Sequence, residues 1–148
     1  MKELPVNRGF VALVDDEDFD RFCHLRFQEY RGYAFTTINK KRAPLHRMIL
    51  ASPPGMFTDH INGNRMDNRK CNLRIATRTE SARNAKVRKD SVSGVRGVRF
   101  HAETRRWNAK IQVDKKRFSL GWFDTKEEAH AAYCEAAKKY HGEFARFN

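Results

Sequence analysis

Between residues 57 and 86 the chain reads F-T-D-H-I-N-G-N-R-M-D-N-R-K-C-N-L-R-I-A-T-R-T-E-S-A-R-N-A-K, and one dipeptide near its start restricts the fold most. Asn62-Gly63 is a tight-turn pair, because both residues tolerate the positive φ that other side chains resist. The residues before it, ending in Asp59-His60, therefore read as a strand that stops at a turn. Leu73 to Ala76 reads as a second strand, and Thr77 with Glu80 three residues later makes a capping box that opens a helix running to about Lys89. The unit is strand, long loop, strand, helix. Asn62 and Asn64 are expected to serve the turn rather than to bind a ligand.

The flanking segments are equally short. Phe10 to Val14 is an apolar strand pattern, followed by Asp15, Asp16, Glu17 and Asp18 at the start of a helix that carries Phe19, Phe22 and Cys23 on one face. Those acids suit the positive end of a helix better than a metal. Tyr33 to Thr37 reads as another strand, Lys40 to Arg42 as a basic turn, and Leu45 to Leu50 as a short helix stopped by Pro53-Pro54-Gly55. Beyond the polar joint at residues 89–93, Gly97 to Phe100, Trp107 to Val113 and Arg117 to Phe123 are three strands. Thr125 then caps a helix with Ala129, Ala132, Tyr133, Ala136 and Tyr140 on one face, ended by Gly142. Ile111, Leu120 and Phe123 can face that helix, leaving the other side of the sheet to meet a partner.

Charge indicates which partner. The 148 residues hold 30 Lys+Arg against 18 Asp+Glu, a net charge of +12. Residues 1–39 carry 7 acids and 5 bases, so the positive charge belongs to the remainder. A basic surface with interleaved aromatics is what phosphate-backbone binding requires. Cys23, Cys71 and Cys134 are odd in number, with no C-x-x-C, and read as free thiols. There is no transmembrane or signal-peptide pattern, and a soluble intracellular protein is expected.

Phosphodiester cleavage needs a base to activate water and a divalent ion to stabilise charge on the phosphate and leaving oxygen. A histidine beside a carboxylate, presented from a hairpin against a helix, suits both tasks. Residues 44–86 resemble an HNH homing-type nuclease module, the ββα-metal fold, through L-H-R (45–47), D-H-I-N-G-N (59–64), D-N (67–68), N-L-R (72–74), A-T (76–77) and R-N (83–84). The resemblance implies that His60 is the general base, that Asn72 holds the loop so that the base is oriented, and that Asp59 binds one divalent metal ion of the Mg²⁺ type. It also puts a His or Asn ligand in the first turn of the helix, where this chain has Ser81, a weaker and shorter ligand for a hard cation. Asn84 lies on the same helix face, about 4.5 Å further along the axis. Arg65, Arg69, Lys70, Arg74 and Arg78 are expected to touch phosphate as a set. His46 reads equally as a site residue or a packing residue.

Residues 94–148 resemble the AP-two type DNA-binding domain of plant ethylene-response factors, also found fused to HNH nucleases in phage and mobile elements. The matching motifs are R-G-V-R (96–99), W-N-A-K-I (107–111), R-F-S-L-G-W-F-D-T (117–125), E-E-A-H-A-A-Y (127–133) and A-A-K-K-Y-H-G (136–142). The resemblance implies a sheet lying in the major groove, with Arg96, Arg99, Trp107, Lys110, Gln112, Arg117 and Ser119 as candidate contacts. Arginine can pair with guanine and glutamine with adenine.

The sequence is therefore expected to form an α+β protein: a ββα-metal nuclease module in residues 1–90 (core motif 44–88), then a three-stranded antiparallel sheet packed on one helix in residues 91–148. The expected function is metal-dependent hydrolysis of double-stranded DNA, by nicking, in the cytoplasm of a bacterial or phage-infected cell. No membrane or obligatory protein partner is indicated. The alternative is a DNA-binding regulator without nuclease activity, which Ser81 favours; a third reading, a basic RNA-binding factor, is opposed by the AP-two resemblance and the absence of base-stacking aromatic motifs.

Overall fold

The computed structural model describes residues 1–84 and 91–147. It is α+β and divides into two compact units, Met1–Ser81 and Ala82–Asn148. The expected continuation of the central helix to Lys89 lies outside the described residues.

In the first unit, β1 (Lys2–Pro5) and β2 (Val11–Val14) form an antiparallel hairpin, then α1 (Asp16–Phe22) follows. The sequence reading includes β2 but not β1. In β1 only Leu4 is buried, so the strand carries no alternation to detect. β3 (Gln28–Tyr30), β4 (Tyr33–Ile38) and β5 (Lys41–Pro44) form a three-stranded antiparallel sheet. The expected basic turn at Lys40 to Arg42 is mostly strand: the turn is Asn39-Lys40, both at positive φ, and β5 begins at Lys41. Next come α2 (Leu45–Leu50), β6 (Phe57–His60), β7 (Leu73–Ala76) and α3 (Arg78–Arg83). β6 and β7 pair antiparallel, with Asp59 opposite Arg74 and His60 opposite Leu73. Leu4, Ala12, Val14, Phe22, Phe27, Ala34, Leu45, Ile49 and Leu73 form one core, so the N-terminal strands and the β6–β7 hairpin share a single hydrophobic base.

That base positions the long loop between β6 and β7. The amide of Leu13 donates to the Met66 carbonyl and the amide of Asn68 to the Leu13 carbonyl, both at 2.8 Å, pinning the loop to β2. Asp15 accepts the Lys70 amide at 2.8 Å, and Lys70 pairs with Glu17 and Asp18. The acidic start of α1 is thus a clamp on the far end of the same loop.

The second unit holds β8 (Val98–His101), β9 (Arg106–Val113) and β10 (Lys116–Phe123) as an antiparallel sheet, with α4 (Lys126–His141) across one face. Thr125 and Glu128 close a reciprocal capping box at the start of α4. Ile111, Val113 and Leu120 pack with Tyr133, Ala136 and Ala137, while Val98, Ala109, Leu120 and Phe123 pack around Ala129. Tyr140, expected on the buried stripe, is exposed; Ala137 and His141 are buried instead, which rotates the stripe slightly. Gly97 is required by space: at φ +70, an added Cβ would lie 2.1 Å from the Tyr133 ring and 2.7 Å from the Lys110 carbonyl. The three cysteines are free thiols, and no described helix is long and apolar enough to cross a membrane.

Candidate functional site

Asp59, His60 and Asn72 are all buried at the end of the β6–β7 hairpin. Asn72 braces the loop from inside. Its Oδ1 accepts the Asn62 amide at 3.0 Å, its Nδ2 donates to the Asp67 carbonyl at 2.7 Å, and its own carbonyl accepts from the Ile61 amide at 2.9 Å. Two loop residues are thereby fixed to one side chain and a third to its backbone. Asn62 and Asn64 serve the turn as expected: Asn62 Oδ1 accepts the Asn64 amide, and Asn64 Oδ1 accepts the Met66 amide.

His60 Nε2 lies 3.4 Å from Asn68 Oδ1, and the Asn68 amide nitrogen in turn donates to the Arg65 carbonyl at 3.4 Å. That second bond turns the Asn68 amide so that its oxygen faces His60 Nε2, an arrangement that favours a proton on Nε2. The His60 ring also meets His46 edge-on, with centroids 5.2 Å apart, and lies 5.9 Å from Tyr33. Burial lowers the His60 pKa, opposed by the Asn68 hydrogen bond and by the charges of Asp59 and Asp67. Burial lowers His46 further, to about 3, aided by His60 and Arg47, so His46 is neutral. Asn68 and His46 are the site residues that sequence reasoning did not assign. The D-N pair and the L-H-R motif were the available signals.

Asp59 accepts from both Arg74 and Ser81. Arg74 Nε and Nη2 donate to its Oδ2 at 3.1 and 2.9 Å, and Ser81 Oγ donates to its Oδ1 at 3.4 Å. The first turn of α3 thus meets Asp59 at the expected position. The helix start is fixed by Thr77 and Glu80, whose side chains bond each other and each other's amides, so Glu80 serves the cap. A carboxylate and a hydroxyl are hard oxygen donors that suit a divalent cation retaining most of its water. Among the described residues no cluster of three or more His, Cys, Asp or Glu could hold a metal. Asn84 is buried in the second unit, where its carbonyl accepts from Arg146 at 3.2 Å.

The basic set expected to touch phosphate is largely used inside the unit. Arg69 grips Asp67 with two bonds of 2.7 Å and lowers its pKa. Arg65 donates to the Arg31 carbonyl and lies over the Tyr33 ring. Arg74, only 12% exposed, is the partner of Asp59 rather than an outward cation. Arg78 is exposed.

In the second unit, the sheet face away from α4 carries Arg99, His101, Arg106, Lys110, Gln112, Arg117, Ser119 and Trp122, all exposed, around the buried Asn108. The expected contacts Arg99, Lys110, Gln112, Arg117 and Ser119 are together on it. Trp107 is not: its ring lies tilted against Phe100, centroids 4.9 Å apart, and packs with the α4-facing cluster, because its strand position alternates with the outward ones. Arg96 donates to the Ala82 carbonyl at 2.9 Å.

A hairpin-and-helix unit of this kind, followed by a basic sheet on one helix, defines the class of nucleases that carry their own DNA-binding domain. Residues 51–83 match the HNH endonuclease family model and residues 93–143 the AP2 domain model. Protein 3.8 of Escherichia phage T7 is 32% identical over 95 residues, covering 64% of this chain and 78% of that protein. An uncharacterized HNH endonuclease, L560, of Acanthamoeba polyphaga mimivirus is 32% identical over 112 residues, covering 70% of this chain and 56% of that one. The chain belongs to the HNH endonuclease family and carries a C-terminal AP2 domain.

Proposed function

We propose that this protein is a metal-dependent DNA endonuclease that hydrolyses one phosphodiester bond per site and so nicks duplex DNA in the host cell. The observation that carries the reading is the buried His60 beside Asp59 at the end of the β6–β7 hairpin, with its Nε2 3.4 Å from Asn68 Oδ1. With its Nε2 proton held toward Asn68, Nδ1 is the nitrogen that accepts a proton from water. The water oxygen attacks phosphorus as its proton passes to His60, the bond from phosphorus to the leaving oxygen breaks, that oxygen takes a proton from solvent to become the hydroxyl product, and His60 returns its proton to solvent. Asn72 keeps His60 in place through the Asn62 amide and the Asp67 carbonyl. Asp59 and Ser81 are the residues that hold a divalent ion such as Mg²⁺. Such an ion, when bound, stabilises charge on the phosphate and leaving oxygen. Arg78 contacts the phosphate backbone near the site, and Arg99, Lys110, Gln112, Arg117 and Ser119 face the duplex from the C-terminal sheet.

A second reading, a DNA-binding protein without cleavage, is favoured by one observation: Arg74 already neutralises Asp59, and its helix partner is only a serine. Incubation with supercoiled plasmid in Mg²⁺ or EDTA separates the two. A nicked circle in Mg²⁺ alone supports the nuclease. Retarded but intact plasmid in both supports the binder.

A further inference from the structure

We propose that Trp122, held by His101, reads the 5-methyl group of thymine from the outer face of the C-terminal sheet. The inference rests on the reading that this face meets duplex DNA. The chain has two tryptophans, and the structure separates them: Trp107 packs on the α4 side, whereas Trp122 is 43% exposed among cations. An exposed indole in a row with Arg99 and Asn108 contributes nothing to the core, so its large apolar face is available to a partner.

Its position is fixed from several sides. The register shift between Ser119 and Gly121 brings Trp122 opposite Asn108 on the outer face. The Asn108 amide locks that shift by donating to Ser119 Oγ at 3.1 Å and to the Gly121 carbonyl at 2.9 Å. Arg106 donates to the Trp122 carbonyl at 3.1 Å and to Asp124 at 2.9 Å. The His101 ring stands edge-on to the indole, centroids 5.2 Å apart and planes at 80°. With its backbone fixed and its ring set against His101, the indole loses little freedom on binding.

The chemistry of the partner follows from what the indole lacks. Lys110, Arg99 and Arg117 supply the phosphate and guanine contacts, and Gln112 can read adenine. Indole has one N–H donor and no acceptor, so it makes no bidentate pair with a base edge. What it offers is an apolar plane, and the thymine 5-methyl is the apolar group on the major-groove edge of a base pair.

The test uses the full chain in EDTA, so that no strand is cut. Wild type selects sites from a randomised duplex pool, and the selected site is resynthesised with uracil replacing each thymine in turn. Removal of one methyl is expected to weaken wild-type binding about three- to fivefold at one position. Trp122→Ala should bind the thymine and uracil forms alike, while Trp122→Phe keeps most of the preference. A selected site without thymine, uracil forms that bind wild type equally well, or a preference that survives in Trp122→Ala would each overturn the proposal while leaving duplex binding intact. Failure of wild type to bind any duplex would instead remove the reading on which it rests.

Discussion

His46 shows how the site couples to stability one side chain at a time. It is buried against His60 and Tyr33, with Nδ1 among the buried atoms that have no hydrogen-bond partner, and its pKa is lowered to about 3 by burial. The folded value lies below that of the unfolded chain, so the unfolded chain takes up the proton first. The stabilisation is complete above pH 6.5 and is lost as pH falls toward 3. Amide exchange at residues 45–50, corrected for intrinsic rates, should report a loss of about 2 kcal/mol between pH 6.5 and 5. His46→Gln should flatten most of that slope, His60 adding a smaller change of the same sign. A second residue-scale prediction concerns Ser81, whose hydroxyl meets Asp59 at 3.4 Å. Ser81→Asn supplies an amide oxygen there and should lower the Mg²⁺ midpoint for cleavage about tenfold. An unchanged midpoint, with activity lost in Asn84→Ala, would move the helix ligand to Asn84. Asp59, His60, Asn72 and Ser81 were legible in the sequence because the motif fixes their spacing. The contact of His46 and Asn68 with His60 was not, since residues 46, 60 and 68 meet only when the loop closes on the core. The pairing of Arg74 with Asp59 was equally hidden, because it depends on the β6–β7 register rather than on sequence distance.

At the scale of elements, legibility followed burial pattern. Strand β9 and helix α4 bury one face and could be read directly, and β10 could be read from its apolar and β-type residues although it is at most half-buried; β1 and β3 bury little of their own length and could not be read. Those short strands nevertheless matter, because β2 is held by β1 and in turn holds the site loop through Leu13. Capping boxes, whose signal is local, were readable at both Thr77 and Thr125. The most demanding backbone position is Gly97, whose carbonyl accepts from the Lys110 amide at 2.7 Å beneath the Tyr133 ring. Gly97→Ala combines a positive φ with a clash and should cost at least about 2 kcal/mol in the second unit. Both tryptophans lie in β9 and β10, so tryptophan emission follows that unit specifically. Emission that unfolds at a clearly lower denaturant concentration in Gly97→Ala is expected, and an unshifted transition would show that Tyr133 yields at little cost.

The whole molecule carries +12: residues 1–39 hold 7 acids against 5 bases, with Asp15, Glu17 and Asp18 fastening the loop, and the outer face of the C-terminal sheet presents exposed bases. DNA affinity should therefore fall steeply with salt, and Arg99→Ala or Arg117→Ala should each weaken binding and reduce the logarithmic salt slope by about 1. A slope unchanged in both variants would place the duplex on another face. The claim on which the rest depends is that His60 activates water, and the most direct measurement is the nicking rate of supercoiled plasmid by wild type and His60→Ala, purified alike and assayed in Mg²⁺. Loss of a general base costs about 10² to 10⁴ in rate, so nicking by His60→Ala should fall at least about 100-fold with plasmid binding retained. Equal nicking by the two proteins would contradict the assignment of His60.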